Sequence, residues 1–331
     1  MPPTLLKNNP DASTSSTHSL PGPDDIMRVV LPNGIVVLGR ANFNSPSVVI
    51  NGYLPAGGIN DPDKLLGLAD FCASALMRGT DKRDFFQIYD LLESAGASLG
   101  IGGGVHLVSY SGRALVEDID LLLELLAESL RQPIFPDEQV ERLRTQILTG
   151  LAIRSQQTRA MASLTFDQIV YDGHPYSRPE EGYPETVSAI SREDLVGFHQ
   201  RNYGPRGMVV TVVGAVDPGQ IVDQIARFFG DWQNPQQPEP TTLPPLKPLP
   251  EVVQRGVEIP GKSQADIVLG AAGPARSAAD YVAASLGNSV LGQFGMMGRI
   301  GASVRDQAGL AYYAYSSLGG GLGPGPWYVS A

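Results

Sequence analysis

Residues 67–80 read GLADFCASALMRGT. Small and apolar side chains fall on nearly every side of this run, which is typical of a helix that is buried from several directions. The spacing predicts a helix over residues 65–77. Gly79 follows closely and can end it, since glycine adopts the left-handed conformation common after a helix. Cys72 is the sole cysteine, and we expect it to be a small buried side chain of this helix.

Strand and helix patterns flank this run on both sides. Residues 27–31 and 35–38 are predicted strands joined by Asn33-Gly34, a strong hairpin signal. Further strands are predicted at 48–54 and 208–213, a hairpin at 98–112, and helices at 85–95, 115–131, 137–155 and 221–229. This order predicts an α+β fold, in which an antiparallel-rich sheet is covered by helices on one face.

Seven prolines between residues 233 and 250 interrupt the pattern. Because proline is excluded from helix interiors and central strands, this segment is predicted to be a linker. We therefore expect a disordered leader (1–26), a first domain (27–232), the linker (233–250) and a second domain (251–331). In the second domain a predicted strand (267–269) again precedes a predicted helix (281–291), which indicates a faint duplication of 48–54 and 65–77. If the two copies are equal in size, the second is truncated at Ala331.

The composition limits the possible functions. Hydrophobic residues make up 42% and charged residues 18% of the chain, as in globular proteins. A net charge of -10 argues against a nucleic-acid partner, because phosphate binding requires clustered Lys and Arg. We expect no membrane span, since no apolar run is long enough. The single cysteine fits the cytoplasm or another soluble reducing compartment, and organellar targeting stays open.

The run at residues 67–80 resembles the zinc helix of the M16 metallopeptidases, the family of pitrilysin, insulinase and the mitochondrial processing peptidase. Its signature is G-x-A-H-F-x-E-H, then apolar residues and Gly-Thr. In that family the two histidines bind zinc and the glutamate serves as general base. Here Asp70, Ala73 and Ser74 occupy those three positions. The third zinc ligand of the family, a glutamate on the helix after a Pro-x-Phe-Pro turn, aligns with Gly150.

These replacements imply that the chain has no zinc and does not hydrolyse peptides by itself. One carboxylate and one hydroxyl are too few ligands for a tight site of another metal. We expect Asp70 to be solvated or hydrogen-bonded to Ser74. The histidines do not rebuild a site, because none has a second His or Cys at ligand spacing. They are predicted to be surface or capping residues: His18, His106, His174 and His199.

A second segment, VRDQAGLAY at residues 304–312, resembles the R-E-x-x-G-L-A-Y segment of the family's second domain. In active relatives that Arg and Tyr bind the substrate backbone and stabilise the oxyanion. A guanidinium can bind carbonyls, and a phenol can donate to developing charge. The resemblance gives these roles to Arg305, at the end of a helix, and Tyr312, on the next strand, with Gly309 at the turn. From the residue pattern alone, Arg305 is a surface ion-pair residue and Tyr312 a core aromatic.

The resemblance implies a non-catalytic subunit of a heterodimeric M16 zinc peptidase. Arg305 and Tyr312 would act in trans on a peptide or unfolded protein, and zinc would be present only in the partner chain. The alternative from another class is a pseudo-peptidase that binds peptides or acts as a scaffold without hydrolysis.

Overall fold

A computed structural model of the protein describes residues 22–293 and 298–331. Residues 1–21 of the predicted leader, which include His18, lie outside the described residues. Within the rest of that predicted leader, Pro23–Asp25 forms a short 3-10 helix. In the described ranges, no helix is both long and apolar enough to cross a bilayer. The chain builds two sheets, one after the other.

The first sheet has six strands in the order β1-β2-β6-β3-β5-β4. Strands β2 and β6 are parallel, and every other neighbouring pair is antiparallel. The predicted antiparallel-rich sheet is therefore confirmed. The strands are β1 (Met27–Val30), β2 (Val36–Ala41), β3 (Ser47–Leu54), β4 (Ser98–Gly102), β5 (Val108–Leu115) and β6 (Val209–Gly214).

Helices cover one face of this sheet. Side chains alternate along β5 between a buried face, as at Val108 and Tyr110, and an exposed face, as at Ser109 and Ser111. The buried face packs on α3, and α1 lies between the sheet and the helices α4 and α7. The helices of this part are α1 (Leu68–Ala75), α2 (Phe85–Ser94), α3 (Ile119–Arg131), α4 (Asp137–Ser155), α5 (Thr158–Val170), α6 (Pro184–Ala189), α7 (Arg192–Asn202) and α8 (Pro218–Phe229).

The helix α1 is shorter than predicted. It begins at Leu68 because Gly67 has a φ of 95°, a conformation that glycine adopts readily and that interrupts a helix. Asp61 accepts hydrogen bonds of 2.8 Å from the backbone N–H groups of Gly67 and Ala69, which fixes the start of the helix. Cys72 is fully buried on it, as predicted.

The second sheet has three antiparallel strands in the order β7-β9-β8, namely β7 (Val268–Ala272), β8 (Tyr315–Leu318) and β9 (Pro326–Ser330). Between β7 and β8 lie α9 (Tyr281–Asn288), which continues as a π-helical turn (Ser289–Gln293), and α10 (Arg299–Gly301), which continues as a second one (Ala302–Gln307). The sheet packs on α5, where Phe166 and Val170 form an apolar cluster with Val268 and Tyr328. The helices α5 and α6 were not predicted from the sequence, and the strand that was predicted to carry Tyr312 begins later, at Tyr315.

Candidate functional site

The three degenerate zinc-site positions of the first signature lie on one helix, α1. Asp70 is in its first turn and half-buried, Ala73 is 1% exposed, and Ser74, one turn after Asp70, is half-buried. Residues four apart lie on the same face of a helix. The helix therefore places positions 70 and 74 next to each other, as two zinc ligands require. The side chains at these positions are a carboxylate and a hydroxyl.

The surroundings of Asp70 are acidic and poorly solvated. Burial, together with the neighbouring Glu181 and Glu180, raises the pKa of Asp70 to about 6. The loop after β4 closes over it, since a Cβ on Gly103 would lie 2.8 Å from Oδ1 of Asp70. In the part of the chain that the structure describes, no cluster of three or more His, Cys, Asp or Glu side chains could hold a metal. The donor set on α1 does not fit zinc, which takes three or four nitrogen, sulfur or carboxylate ligands.

The position predicted for the third ligand, Gly150, lies on α4 and is exposed. A Cβ there would meet no atom within 4 Å. Helix α4 runs beside α1, and the guanidinium of Arg144 lies 5.2 Å from the ring centroid of Phe71. Gly150 has no side chain that could bind a metal, although there is open space for one at this position.

Arg305 and Tyr312 are neighbours in the second part of the chain. The guanidinium carbon of Arg305 lies 5.3 Å from the ring centroid of Tyr312, within the range of a cation–π interaction. Arg305 is in the π-helical turn Ala302–Gln307. The predicted turn at Gly309 is confirmed by its φ of 62° and by a hydrogen bond of 3.0 Å from its N–H to the carbonyl of Arg305.

Tyr312 differs from both sequence-based expectations. It precedes β8 rather than lying on a strand, because pairing with β9 begins only at Tyr315, opposite Ser330. Its side chain is 65% exposed, so it is not a core aromatic either. The nearest carboxylate to Arg305, that of Asp306, is 4.0 Å away, which makes a weak ion pair.

The two signatures lie on different elements, the first on α1 and α4 and the second on the turn before β8. The structure brings Arg305 and Tyr312 together and places Asp70 and Ser74 on one face. Among the described residues, no hydrogen bond or ion pair joins Arg305 or Tyr312 to Asp70 or Ser74.

A trough of about 580 Å³ lies on the exposed face of the first sheet. It crosses β3, β4 and β5 and touches β6, and in the described part of the chain β4 is an edge strand of this sheet. Small residues keep this backbone accessible. Its lining includes Asn51, Tyr53, Gly100, Gly102, Ser111 and Thr211. The glycine-rich composition of residues 98–112 is the sequence signal for it.

Two of the histidines have the structural roles that were predicted. His174 is 4% exposed, and its Nδ1 accepts a hydrogen bond of 3.1 Å from the backbone N–H of Tyr176, which caps a short helical turn. His199 lies 2.9 Å through Nε2 from the carbonyl of Leu130, to which it donates. Neither has a position that suggests catalysis.

Two family models match the chain, one after the other. The model described as Insulinase (Peptidase family M16) matches residues 36–181, and the model described as Peptidase M16 inactive domain matches residues 189–331. Together they span nearly all of the two-sheet structure, and the chain belongs to the M16 peptidase family.

Individual relatives agree with this assignment. An uncharacterized zinc protease of Mycobacterium leprae is 27% identical over 88% of this chain and 66% of its own length. A probable mitochondrial-processing peptidase subunit beta of Arabidopsis thaliana is 25% identical over 70% of this chain and 43% of its own length. The crystal structure of a peptidase M16 inactive domain from Pseudomonas fluorescens matches with a TM-score of 0.83 and 26% identity, over 92% of this chain and 73% of that chain. The chain thus spans less than two thirds of the length of the two curated relatives.

Proposed function

We propose that this chain is the non-catalytic subunit of a two-subunit M16 peptidase, to which it supplies Arg305 and Tyr312. The observation that carries this proposal is a contrast between the two family segments. The zinc-helix positions hold Asp70, Ala73 and Ser74, whereas the arginine and the tyrosine of the second segment are both present and stacked at the surface.

The stacked pair has the chemistry that a substrate-binding role requires. Stacking on the ring of Tyr312 orients the planar guanidinium of Arg305 and leaves its N–H groups free to bind peptide carbonyls. The hydroxyl of Tyr312, on an exposed side chain, can donate to an oxyanion. The zinc of the partner would polarise the scissile carbonyl and activate water. The residues of this chain would hold the peptide and stabilise the developing charge.

The family comparison supports a paired arrangement, because one relative is named as a subunit of a peptidase. The zinc and its ligands would belong to a chain with an intact H-x-x-E-H.

A second candidate is a pseudo-peptidase that binds peptides or serves as a scaffold. The open trough beside β4 favours it, because an extended peptide can pair with a free strand edge without any metal. This candidate predicts binding without hydrolysis and gives Tyr312 no part in turnover.

The test is purification of the tagged chain from its native host, identification of a companion with an intact H-x-x-E-H, and reconstitution of the pair. We expect a fluorogenic peptide library to be cleaved by the pair and by neither chain alone. Arg305→Ala should lower the kcat/KM of the pair by about 10- to 100-fold, because the bound peptide loses a hydrogen bond from a charged donor. Arg299→Ala, a change at an exposed arginine of α10, is the matched control.

Cleavage by this chain alone, or an Arg305→Ala pair as active as the natural one, would contradict the proposal. A companion that assembles with the chain and binds peptides without cleaving them would favour the scaffold.

A further inference from the structure

A hydrogen-bonded relay joins the two sheets of the molecule through one tyrosine hydroxyl. The hydroxyl of Tyr176 lies 2.7 Å from Nε2 of His106 and 2.9 Å from the backbone N of Gly323. His106 is in the loop between β4 and β5, and Gly323 is in the glycine-rich loop between β8 and β9. Tyr176 itself lies on the 3-10 helix Pro175–Ser177, after α5.

The donors and acceptors of this relay can be assigned. The N–H of Gly323 can only donate, so the oxygen of Tyr176 accepts from it. Among the described residues, Nε2 of His106 is the one acceptor in hydrogen-bonding reach of the tyrosine O–H, so the O–H is assigned as its donor. That bond requires a neutral imidazole with its proton on Nδ1, because both nitrogens of an imidazolium are donors.

The contact with Gly323 depends on close packing. A Cβ on Gly323 would lie 2.7 Å from the hydroxyl of Tyr176 and 2.6 Å from a methyl carbon of Leu243 in the linker. Glycine is therefore the residue that allows the loop to approach the tyrosine. The other loop contacts of this kind stay within the second part of the chain, such as the bond of 3.1 Å from the N–H of Arg276 to the carbonyl of Gly321.

We propose that His106 is a pH sensor, and that its protonation releases the glycine-rich loop, residues 319–325, from Tyr176. A protonated Nε2 donates to the tyrosine oxygen instead of accepting from it. This charge-assisted bond draws on the electron density of the oxygen that accepts from Gly323, and so it weakens the bond from the amide, which is the weaker donor. The O–H of the tyrosine loses its acceptor at the same time.

The surroundings of His106 set the pH range of this change. Burial and, to a smaller extent, the nearby His174 lower the pKa of His106 from the usual 6.5. The neutral form, and with it the relay, is complete at neutral pH and is lost as the pH falls below that usual value. Other titratable or charged residues on the elements around this cluster, within the described residues, are Tyr171, Asp61, Asp70, Glu180, Arg276 and Tyr281.

Burial also raises the pKa of three of these carboxyls, to about 7 for Asp61, to about 6 for Asp70, and above its usual value for Glu180. Asp61 and Asp70 therefore also titrate between about pH 6 and pH 7. A variant that removes only the imidazole is therefore needed to separate the two effects.

Amide hydrogen exchange of Gly323, followed by NMR on the full chain and corrected for the intrinsic pH dependence, tests the proposal. The natural chain should show a protected amide at pH 7.5 and a roughly three- to tenfold loss of protection, the value of one hydrogen bond, as the pH is lowered stepwise below 6.5. Tyr176→Phe should lose the same protection at every pH. His106→Gln keeps an acceptor without a titrating group, and its protection should not change with pH. Tyr89→Phe, on α2, is the matched control.

If Tyr176→Phe left the protection of the Gly323 amide unchanged, the hydrogen bond to the Tyr176 hydroxyl would not be what holds the loop. A fall in protection below pH 6.5 that persists in His106→Gln would overturn His106 as the sensor. This proposal does not depend on a peptidase role for the chain, because its readout is the loop itself.

Discussion

Three substitutions, Asp70→His, Ser74→His and Gly150→Glu, should build a zinc site between α1 and α4. Positions 70 and 74 are one turn apart on the same helical face, where two imidazoles can share a metal. Position 150 has open space for a side chain on the neighbouring helix. Ala73 stays unchanged, because a glutamate at that buried position is a general base in the family and not a ligand.

Binding to the folded state alone stabilises it in proportion to the logarithm of the zinc concentration. At one hundred times the dissociation constant the gain is about 2.7 kcal/mol. A domain of ~150–250 residues gains about 2–4 °C in Tm for each kcal/mol, so the triple variant should melt roughly 5–11 °C higher with zinc than without it. The natural chain should show no such shift and no stoichiometric zinc after dialysis.

Differential scanning calorimetry with zinc titrated against a chelator measures this difference. A variant with the two histidines but without Gly150→Glu should show a smaller shift, which isolates the contribution of α4. A triple variant that folds, as judged by circular dichroism, and yet ignores zinc would refute the alignment of Gly150 with the third ligand. If the natural chain bound one zinc ion and lost it when Asp70 was changed, the prediction that it has no zinc site would be refuted.

Two further predictions concern stability and are measured by urea unfolding. Asp70→Asn should raise the free energy of unfolding at pH 8 by about 1–3 kcal/mol, because the folded chain disfavours the ionised carboxyl, whose pKa is raised from 3.8 to about 6. The gain should shrink below pH 6 and vanish below about pH 3, where the carboxyl is protonated in both states. The exposed Asp90→Asn should show neither effect, and a gain that is equal at both pH values would exclude this cause. Glu128→Ala should cost about 3 kcal/mol, since Glu128 is 3% exposed and bonded to Arg83. Glu124→Ala, which removes a more exposed partner of the same arginine, should cost less than about 1 kcal/mol, and equal losses would contradict this ranking.

The elements with local signals could be predicted from the sequence. Helix α4 has its predicted bounds, because Pro136 precedes it and the acids Asp137 and Glu138 begin it. The hairpin β1–β2 follows from Asn33-Gly34, and β3, β5 and β6 follow from their alternating or buried apolar residues.

The elements that depend on packing against distant parts of the chain could not be predicted from the sequence. Helix α5 has little amphipathic pattern of its own, and its apolar side chains are covered by a sheet that begins about one hundred residues later. The family resemblance predicted that Tyr312 lies on a strand, whereas pairing with β9 makes that strand begin only at Tyr315.

The candidate site shows the same division. The predicted loss of the zinc ligands concerns single positions, so Asp70, Ala73, Ser74 and Gly150 could be chosen from the sequence. The relay of His106, Tyr176 and Gly323 joins residues that are 70 and 147 positions apart, and no local pattern indicates it. The sequence could predict only that each histidine has a structural role.

The central claim, that this chain completes the active site of a partner, is tested most directly by one hydroxyl group. Tyr312 and Tyr313 are adjacent and 65% and 63% exposed, with ring centroids 4.6 Å apart, so Tyr313→Phe is a matched control for Tyr312→Phe. In the reconstituted pair, with assembly verified by gel filtration, Tyr312→Phe should lower kcat for peptide cleavage by about 100-fold, as expected for loss of an oxyanion donor. Tyr313→Phe should leave kcat unchanged. Equal turnover in both variants and the natural pair would contradict the claim.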